Sequence, residues 1–589
     1  MRLMKRTLAL GVAGILLAGC GHKDKDAPLA FVPADTPYVA ANLDVLDDST
    51  RAALFAQADA QLPSQVAQMK AAADELKATD PNAANLLRAF AGELDGKTLE
   101  QFAQASGLDM KGYSAFYGLG LSPVLRFQLS DPAAFDAFVG RLETAYGKPL
   151  EKASVGGQSY RRYVSKKSGT ELILAVVGKQ AVAALLPSDT SEAMLREALG
   201  LDRPAKSLQD DGRLAKLATA KGYRKYAVGM LDLSRLLPLA ASGKDPLFMA
   251  LWKARAEAES AKTGEPVANQ MQVPASCETD AARIAARVPS MSFGYTRLDA
   301  KHQDARFDVA LASDITQAFS GLKVALPGLG TGAQAPFDVS LALPVAELRA
   351  FWSAQADAVA AKPFSCPALS ELNDSFAKLA PAMQKAAIPP FGDLLGVRIA
   401  LDSFDAKGGR GMPAFTGRLV VGTSNPAGLL AMGQMMTPAL AQLKLTNDGK
   451  PAALPADLTR MVGQPAWLAM GEKALALGIG PGEDSKLAAT LKEPGGDAGR
   501  MMRLHLDGAM YQSWLKLIQD KMDSLSAMRA AMAGKDGSAS DAAARKEAEA
   551  RTHAQFAAMQ AQAARIKAAS AEVHVDKDGL VITSQNELK

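Results

Sequence analysis

Cysteine is scarce in this chain of 589 residues, which holds three: Cys20, Cys277 and Cys366. So few exclude a disulfide-dense miniature scaffold. Histidine is nearly as rare, at His22, His302, His505, His553 and His574, too dispersed to read as a Cys/His metal module. Net charge is also nearly absent. There are 66 Lys and Arg against 62 Asp and Glu, and losing Arg2, Lys5 and Arg6 leaves 63 against 62. That balance argues against nucleic acid or a strongly anionic surface as partner. After the first twenty residues no apolar run is long enough to span a bilayer, which argues against a polytopic membrane protein. The signatures of common enzymes are missing as well: no Gly-x-Ser-x-Gly elbow and no His-Glu-x-x-His helix.

What is present begins with the amino terminus. A basic start (Arg2, Lys5, Arg6) precedes an apolar run from Leu8 to Ala18 and then Leu17-Ala18-Gly19-Cys20, the layout of a secretory signal rather than a spanning helix. These residues resemble the lipobox of bacterial lipoproteins. The resemblance implies cleavage before Cys20, a diacylglyceryl thioether on its sulfur and an acylated amino end, so the membrane is the first partner. Several acyl chains on one residue anchor lastingly where one would be marginal. Gly21, where inner-membrane lipoproteins commonly carry Asp, implies the outer membrane of a Gram-negative envelope, with a soluble body facing the periplasm. Residues 20–30 read as a polar tether reaching at most about 33 Å. In an oxidising envelope the two remaining thiols are expected to pair as a Cys277–Cys366 disulfide. The segment Pro33-Ala-Asp-Thr-Pro-Tyr-Val39 resembles the opening of uncharacterised bacterial envelope proteins and brings no activity with it.

The body repeats itself. Leu125-Arg-Phe127-Gln-Leu129-Ser-Asp-Pro132 returns as Leu419-Val-Val421-Gly-Thr423-Ser-Asn-Pro426, displaced by 294. The same displacement carries Phe135 and Phe138 onto Leu429 and Met432, and Leu174, Ala181, Ala183 and Leu185 onto Leu468, Leu475, Leu477 and Ile479. One offset through a strand, a helix and a hairpin predicts two tandem diverged copies of one domain. The expected class is α+β, each copy a mostly antiparallel sheet covered by helices. The expected boundaries are a signal over 1–19, copy one over 31–325, a Gly/Pro connector over 326–336 and copy two over 337–589. An apolar stripe from Trp514 to Met532, a polar break at Gly534 to Ser540 and an Ala-rich run after it predict a helical hairpin over 508–569.

No residue is assigned to catalysis, a cofactor or a metal. His505 with Asp507, and His574 with Asp576, share strand faces, but their counterparts Met230 with Asp232 and Arg297 with Asp299 keep only the acid, which reads as a cap or turn residue. The run Gly478-Ile-Gly-Pro-Gly482-Glu-Asp-Ser-Lys486 reads as a turn and helix cap, since Glu483 and Asp484 would repel phosphate. Met432, Met435, Met436, Met501 and Met502 read as packing rather than as a copper site or an adaptable groove. The expectation is therefore a non-catalytic scaffold or binding protein with an envelope partner, the alternative a carrier of an apolar, lipid-like ligand in a cleft between the halves. A hydrolase without a recognisable motif comes third.

Overall fold

The computed structural model describes residues 26–264, 266–267, 271–386, 388–405, 414–532 and 539–589. Cys20, its lipobox and the start of the tether lie outside them, as does most of the polar break before Ser540. The chain is α+β with antiparallel sheet, as its patterning predicts. It divides into two compact units: one runs to Ala300 with Ala305–Phe307, the other comprises Lys301–Asp304 and Asp308–Lys589. No described helix is long and apolar enough to cross a membrane.

In the first unit the strands are β1 (Tyr38–Ala41), β2 (Ser114–Leu119), β3 (Ser122–Gln128), β4 (Glu151–Val155), β5 (Gln158–Ser165), β6 (Thr170–Val177), β7 (Gln180–Pro187), β8 (Val228–Asp232) and β9 (Ser290–Leu298), before β10 (His302–Ala310) at the division. Their spatial order is β4-β5-β6-β7-β3-β2-β1-β8-β9, antiparallel at every step. Alternation sets the faces. Val39, Ala41, Ala115, Tyr117, Val124 and Val228 point to one side, where Leu195, Leu199, Leu208 and Leu214 from the helices after β7 close a core. On the other side Phe127, Leu174 and Val176 meet helices Asp48–Leu76, Pro81–Leu94, Leu99–Ser106 and Pro132–Tyr146. There Phe102 and Phe138 pack edge to face at 5.7 Å. Helix Pro132–Tyr146 is capped at its start: the Asp131 carboxylate accepts from the Ala133 and Ala134 N–H groups at 2.9 and 3.1 Å, supplying partners the first turn lacks.

The second unit contains β11 (Phe337–Ala342), β12 (Leu394–Asp405), β13 (Ala414–Thr423), β14 (Ala452–Ala453), β15 (Ala466–Met470), β16 (Ala474–Ile479), β17 (Arg500–Asp507), β18 (Ile566–Val575) and β19 (Gly579–Leu588). Their order is β14-β15-β16-β13-β12-β11-β17-β18-β19, again antiparallel throughout. The Gly/Pro-rich stretch expected as a connector belongs to this unit's interior, where Leu326 and Leu329 lose all exposure against Val420, Ala476 and Leu487. Asn425 caps helix Pro426–Met436 through the Gly428 N–H at 2.9 Å. The helix Gly508–Met532 is followed by Ala539–Arg565. The Ala-rich run leaves the helix at Arg565, earlier than its composition predicts, because Ala568, Ala569 and Ala571 are taken into β18 against Asp507, Leu506 and Leu504.

Candidate binding face

An antiparallel sheet with one face on its core usually turns polar side chains outward on the other. The first unit does not. Leu125 on β3 stands opposite Phe116 on β2, Phe116 opposite Ala40 on β1, Ala40 opposite Gly229 on β8, and Gly229 opposite Phe293 on β9. Phe307 then stacks on Phe293 at 5.9 Å between ring centroids. The row is apolar from end to end, and Phe116, Phe293 and Phe307 keep 42%, 41% and 46% of their surface exposed. Met291, two residues before Phe293, is exposed as well. Gly229 is buried under the Phe293 ring, one of whose carbons would lie 1.9 Å from a Cβ there.

One end of the face is fixed by polar contacts. The Tyr38 ring lies 5.6 Å from that of Phe116, and its hydroxyl donates to the Leu121 carbonyl at 3.1 Å. Burial and then the charge of Asp245 push the Tyr38 phenol above its ordinary range, so it stays a neutral donor. Asp245 itself accepts from the Leu121 N–H at 2.9 Å and caps helix Pro246–Thr263. The corresponding side of the second unit's sheet is apolar too, with Leu341 and Ile399 partly open, but its row Leu419, Ile399, Val339, Leu504, Ala571 contains no aromatic ring and no glycine.

The second unit instead concentrates charge in its core. Arg398 grips Asp338 with Nε to Oδ1 at 3.0 Å and Nη2 to Oδ2 at 2.9 Å, and its Nη1 donates to Glu493 at 2.6 Å. Arg503 adds a contact to Asp338 Oδ2 at 3.2 Å and another to the Gly328 carbonyl at 2.8 Å. Gly328 takes φ +86° with the Arg398 guanidinium where a Cβ would stand, which only glycine permits. The ion pairs join strands β11, β12 and β17, while Arg503 Nε and Nη1 are buried without a hydrogen-bond partner among the described residues. A second cluster absorbs the Gly478–Lys486 run. Lys486 bridges Asp402 at 2.6 Å and Glu483 at 2.8 Å, and Arg418 donates to Asp402 at 2.9 Å. The run is a turn, as expected, but Glu483 makes no side-chain cap. Its buried carboxylate is drawn into these ion pairs, with burial raising its pKa against the pull of Lys486.

The other residues singled out in the sequence make local contacts. His505 Nε2 lies 3.0 Å from Asp507 Oδ1, and His553 pairs with Asp523 at 3.1 Å. Asp232 caps through the Arg235 N–H at 3.2 Å, and Asp576 accepts from Asp578 and Gly579 in its turn, as read. Met501 packs on the core, but Met435 and Met436 stand 85% and 76% exposed, contrary to a packing role, because the short helix that carries them has too little covering it. Cys277 and Cys366 are each buried and each disulfide-bonded. Among the described residues no group of three His, Cys, Asp or Glu is arranged to hold a metal. Two cavities of about 370 and 360 Å³ open in the first unit, one beside Leu29, Leu43 and Leu214, the other beside Met194, Met249 and Met271. The sequence reading missed the open face; the nearly continuous apolar runs of β6 and β7, Leu172 to Val177 and Ala181 to Leu186, belong to the part of the sheet that core-forming helices cover on both sides. No protein family, curated protein or solved structure matches this chain.

Proposed function

We propose that the chain is a non-catalytic envelope lipoprotein, acylated at Cys20, anchored to the outer membrane and facing the periplasm, that works by binding. The observation behind this reading is the apolar second face of the first unit's sheet. Exposed apolar surface of that continuity marks an interaction site more often than it is tolerated for nothing. A second reading, docking of an envelope protein, is favoured by the helix Gly508–Met532, whose Ile518, Met522, Leu525 and Met528 are all exposed at helical spacing. Purifying the protein from its membrane separates these readings. Binding predicts co-recovered lipid or one envelope protein in fixed ratio, and recovery of neither removes it.

The proposal includes an internal duplication. It is supported by the strand orders, which correspond strand for strand from β5 to β9 and β14 to β18. It is supported too by helices inserted at the same places, after the first, third, seventh and eighth strands of one unit and their counterparts in the other. It includes a helical hairpin over residues 508–565, for which the Gln512 to Ala563 contact at 3.2 Å and the Gln560 to Gln519 contact at 2.8 Å speak. It also includes a Cys277–Cys366 bridge, the pairing left to two oxidised cysteines once Cys20 carries lipid.

A further inference from the structure

We infer that helix Pro426–Met436 of the second unit is a seat for the apolar stripe of helix Gly508–Met532 from a second copy of this chain. This rests on the docking reading of that stripe and names the partner it leaves open. The first unit shows what such a seat takes. Strand β13 lies between β16 and β12 as β3 lies between β7 and β2, and each is followed by a helix, Pro426–Met436 and Pro132–Tyr146. In the first unit that helix is covered. Its Phe138 meets Phe90 of helix Pro81–Leu94 at 6.4 Å and Phe102 of helix Leu99–Ser106 at 5.7 Å, and its Arg141 donates to Glu93 at 2.6 Å. In the second unit the displacement of 294 sets Met432, Met435 and Met436 where Phe138, Arg141 and Leu142 stand, and Met435 and Met436 are almost bare. The position that takes helices in one unit is uncovered in the other.

The chemistry of the seat selects its occupant. From Pro426 to Leu443 the chain carries no charged residue, and Met435 replaces the arginine that ties the covering helix through Glu93, so this seat holds a helix by apolar contact. Among the described helices Gly508–Met532 offers the matching surface. Its Ile518, Met522, Leu525 and Met528 are exposed and share one side of the helix. Its contacts with helix Ala539–Arg565 lie on a different side, through Gln519 to Gln560 at 2.8 Å and Asp523 to His553 at 3.1 Å. From Ile518 to Met528 the stripe is about 15 Å long and the seat about 16 Å, at a rise of about 1.5 Å per residue. Methionine on both surfaces suits the contact, because a flexible thioether side chain fills irregular gaps. Both surfaces stand open in the same chain, so neither covers the other, and a second copy supplies each with the other. Two copies related by a two-fold axis make the contact twice.

The test uses the full chain in detergent micelles, followed by sedimentation and native mass spectrometry over a concentration series. The expected result is a dimer that dissociates on dilution. Met436→Glu and Leu525→Lys change exposed residues, so the urea midpoint should hold, while a charge placed in the apolar contact should weaken the dimer about tenfold or more. M435E, at a second exposed position of the seat, is run beside M436E to guard against a folding defect in one variant. Each variant alone carries two damaged contacts in its dimer. An equimolar mixture of M436E and L525K forms a heterodimer with one intact contact and one in which glutamate meets lysine, so association should recover most of its original strength. A monomer at every concentration, a dimer indifferent to either substitution, or a mixture no tighter than the variants alone overturns the inference. A monomer that recovers one envelope protein in fixed ratio and loses it in L525K also overturns it, while leaving the docking reading in place. A monomer that recovers neither lipid nor protein removes the binding reading as well.

Discussion

At the scale of single residues, the sharpest contrast lies between strand positions that the proposed duplication makes equivalent. Val39, Ala41, Ala115 and Val228 fill the first unit's core where Asp338, Ser340, Arg398 and Arg503 fill the second's. A buried ion cluster returns little net stability, because desolvation offsets its attraction, yet removing one member strands the others. Asp338→Ala is therefore expected to cost about 3–5 kcal/mol, seen as a lowered urea midpoint. Replacing the cluster with the other unit's residues, as D338V, R398A and R503V together, should cost less than D338A alone. A triple variant less stable than the single one refutes this account. The same carboxylate sets an acid dependence. Burial alone would raise its pKa, but the Arg398 hydrogen bonds and the Arg398 and Arg503 charges hold it below the ordinary value. A folded pKa below the unfolded one contributes stability above roughly pH 4 that is lost as pH falls through the folded value. D338N should flatten the acid limb of the stability profile.

At the scale of elements, local chemistry and tertiary pairing divide the work. Caps were legible because they are local. Asp131 and Asn425 precede prolines at two helix starts, and each accepts an amide of the first turn. Thr98 and Gln101 form a reciprocal capping box on helix Leu99–Ser106. Asp131→Ala should destabilise by about 1–2 kcal/mol, with D131S restoring most of it. Equal loss in both variants would deny the capping role. The exit from helix Ala539–Arg565 was not legible. Alanine favours helix, but seven residues of β17 offer pairing partners from Arg500 to Asp507, and a sheet ladder joined along its length outweighs a propensity worth a fraction of a kcal/mol per residue. The Glu483 carboxylate was misjudged for the same reason: it heads a helix in sequence, but Arg418 and Lys486 reach it in space.

At the scale of the whole molecule, the anchor and the oxidised cysteines carry the remaining predictions. Mass spectrometry of the mature chain should begin at an acylated Cys20, and Cys20→Ser should release the body from the membrane fraction. Retention of the unacylated variant would remove the lipoprotein reading. A non-reduced digest should yield one linked peptide pair holding Cys277 and Cys366. Closing a loop of about 90 residues restricts the unfolded chain by about 4–5 kcal/mol in the entropy argument, so C277S should unfold at markedly lower urea. Independent peptides would refute the pairing. The amino-acid sequence by itself determined the α+β class, the main strands, and the caps and turns. Each of these follows from periodicity and from contacts within a few residues. Only the tertiary structure decided that Leu326 and Leu329 plug a core, that Asp338, Arg398 and Arg503 meet, and that Phe116 and Phe293 flank Ala40 and Gly229. Those depend on which strands become neighbours and in what register, and register is set by the packing of the whole sheet rather than by any stretch of chain alone.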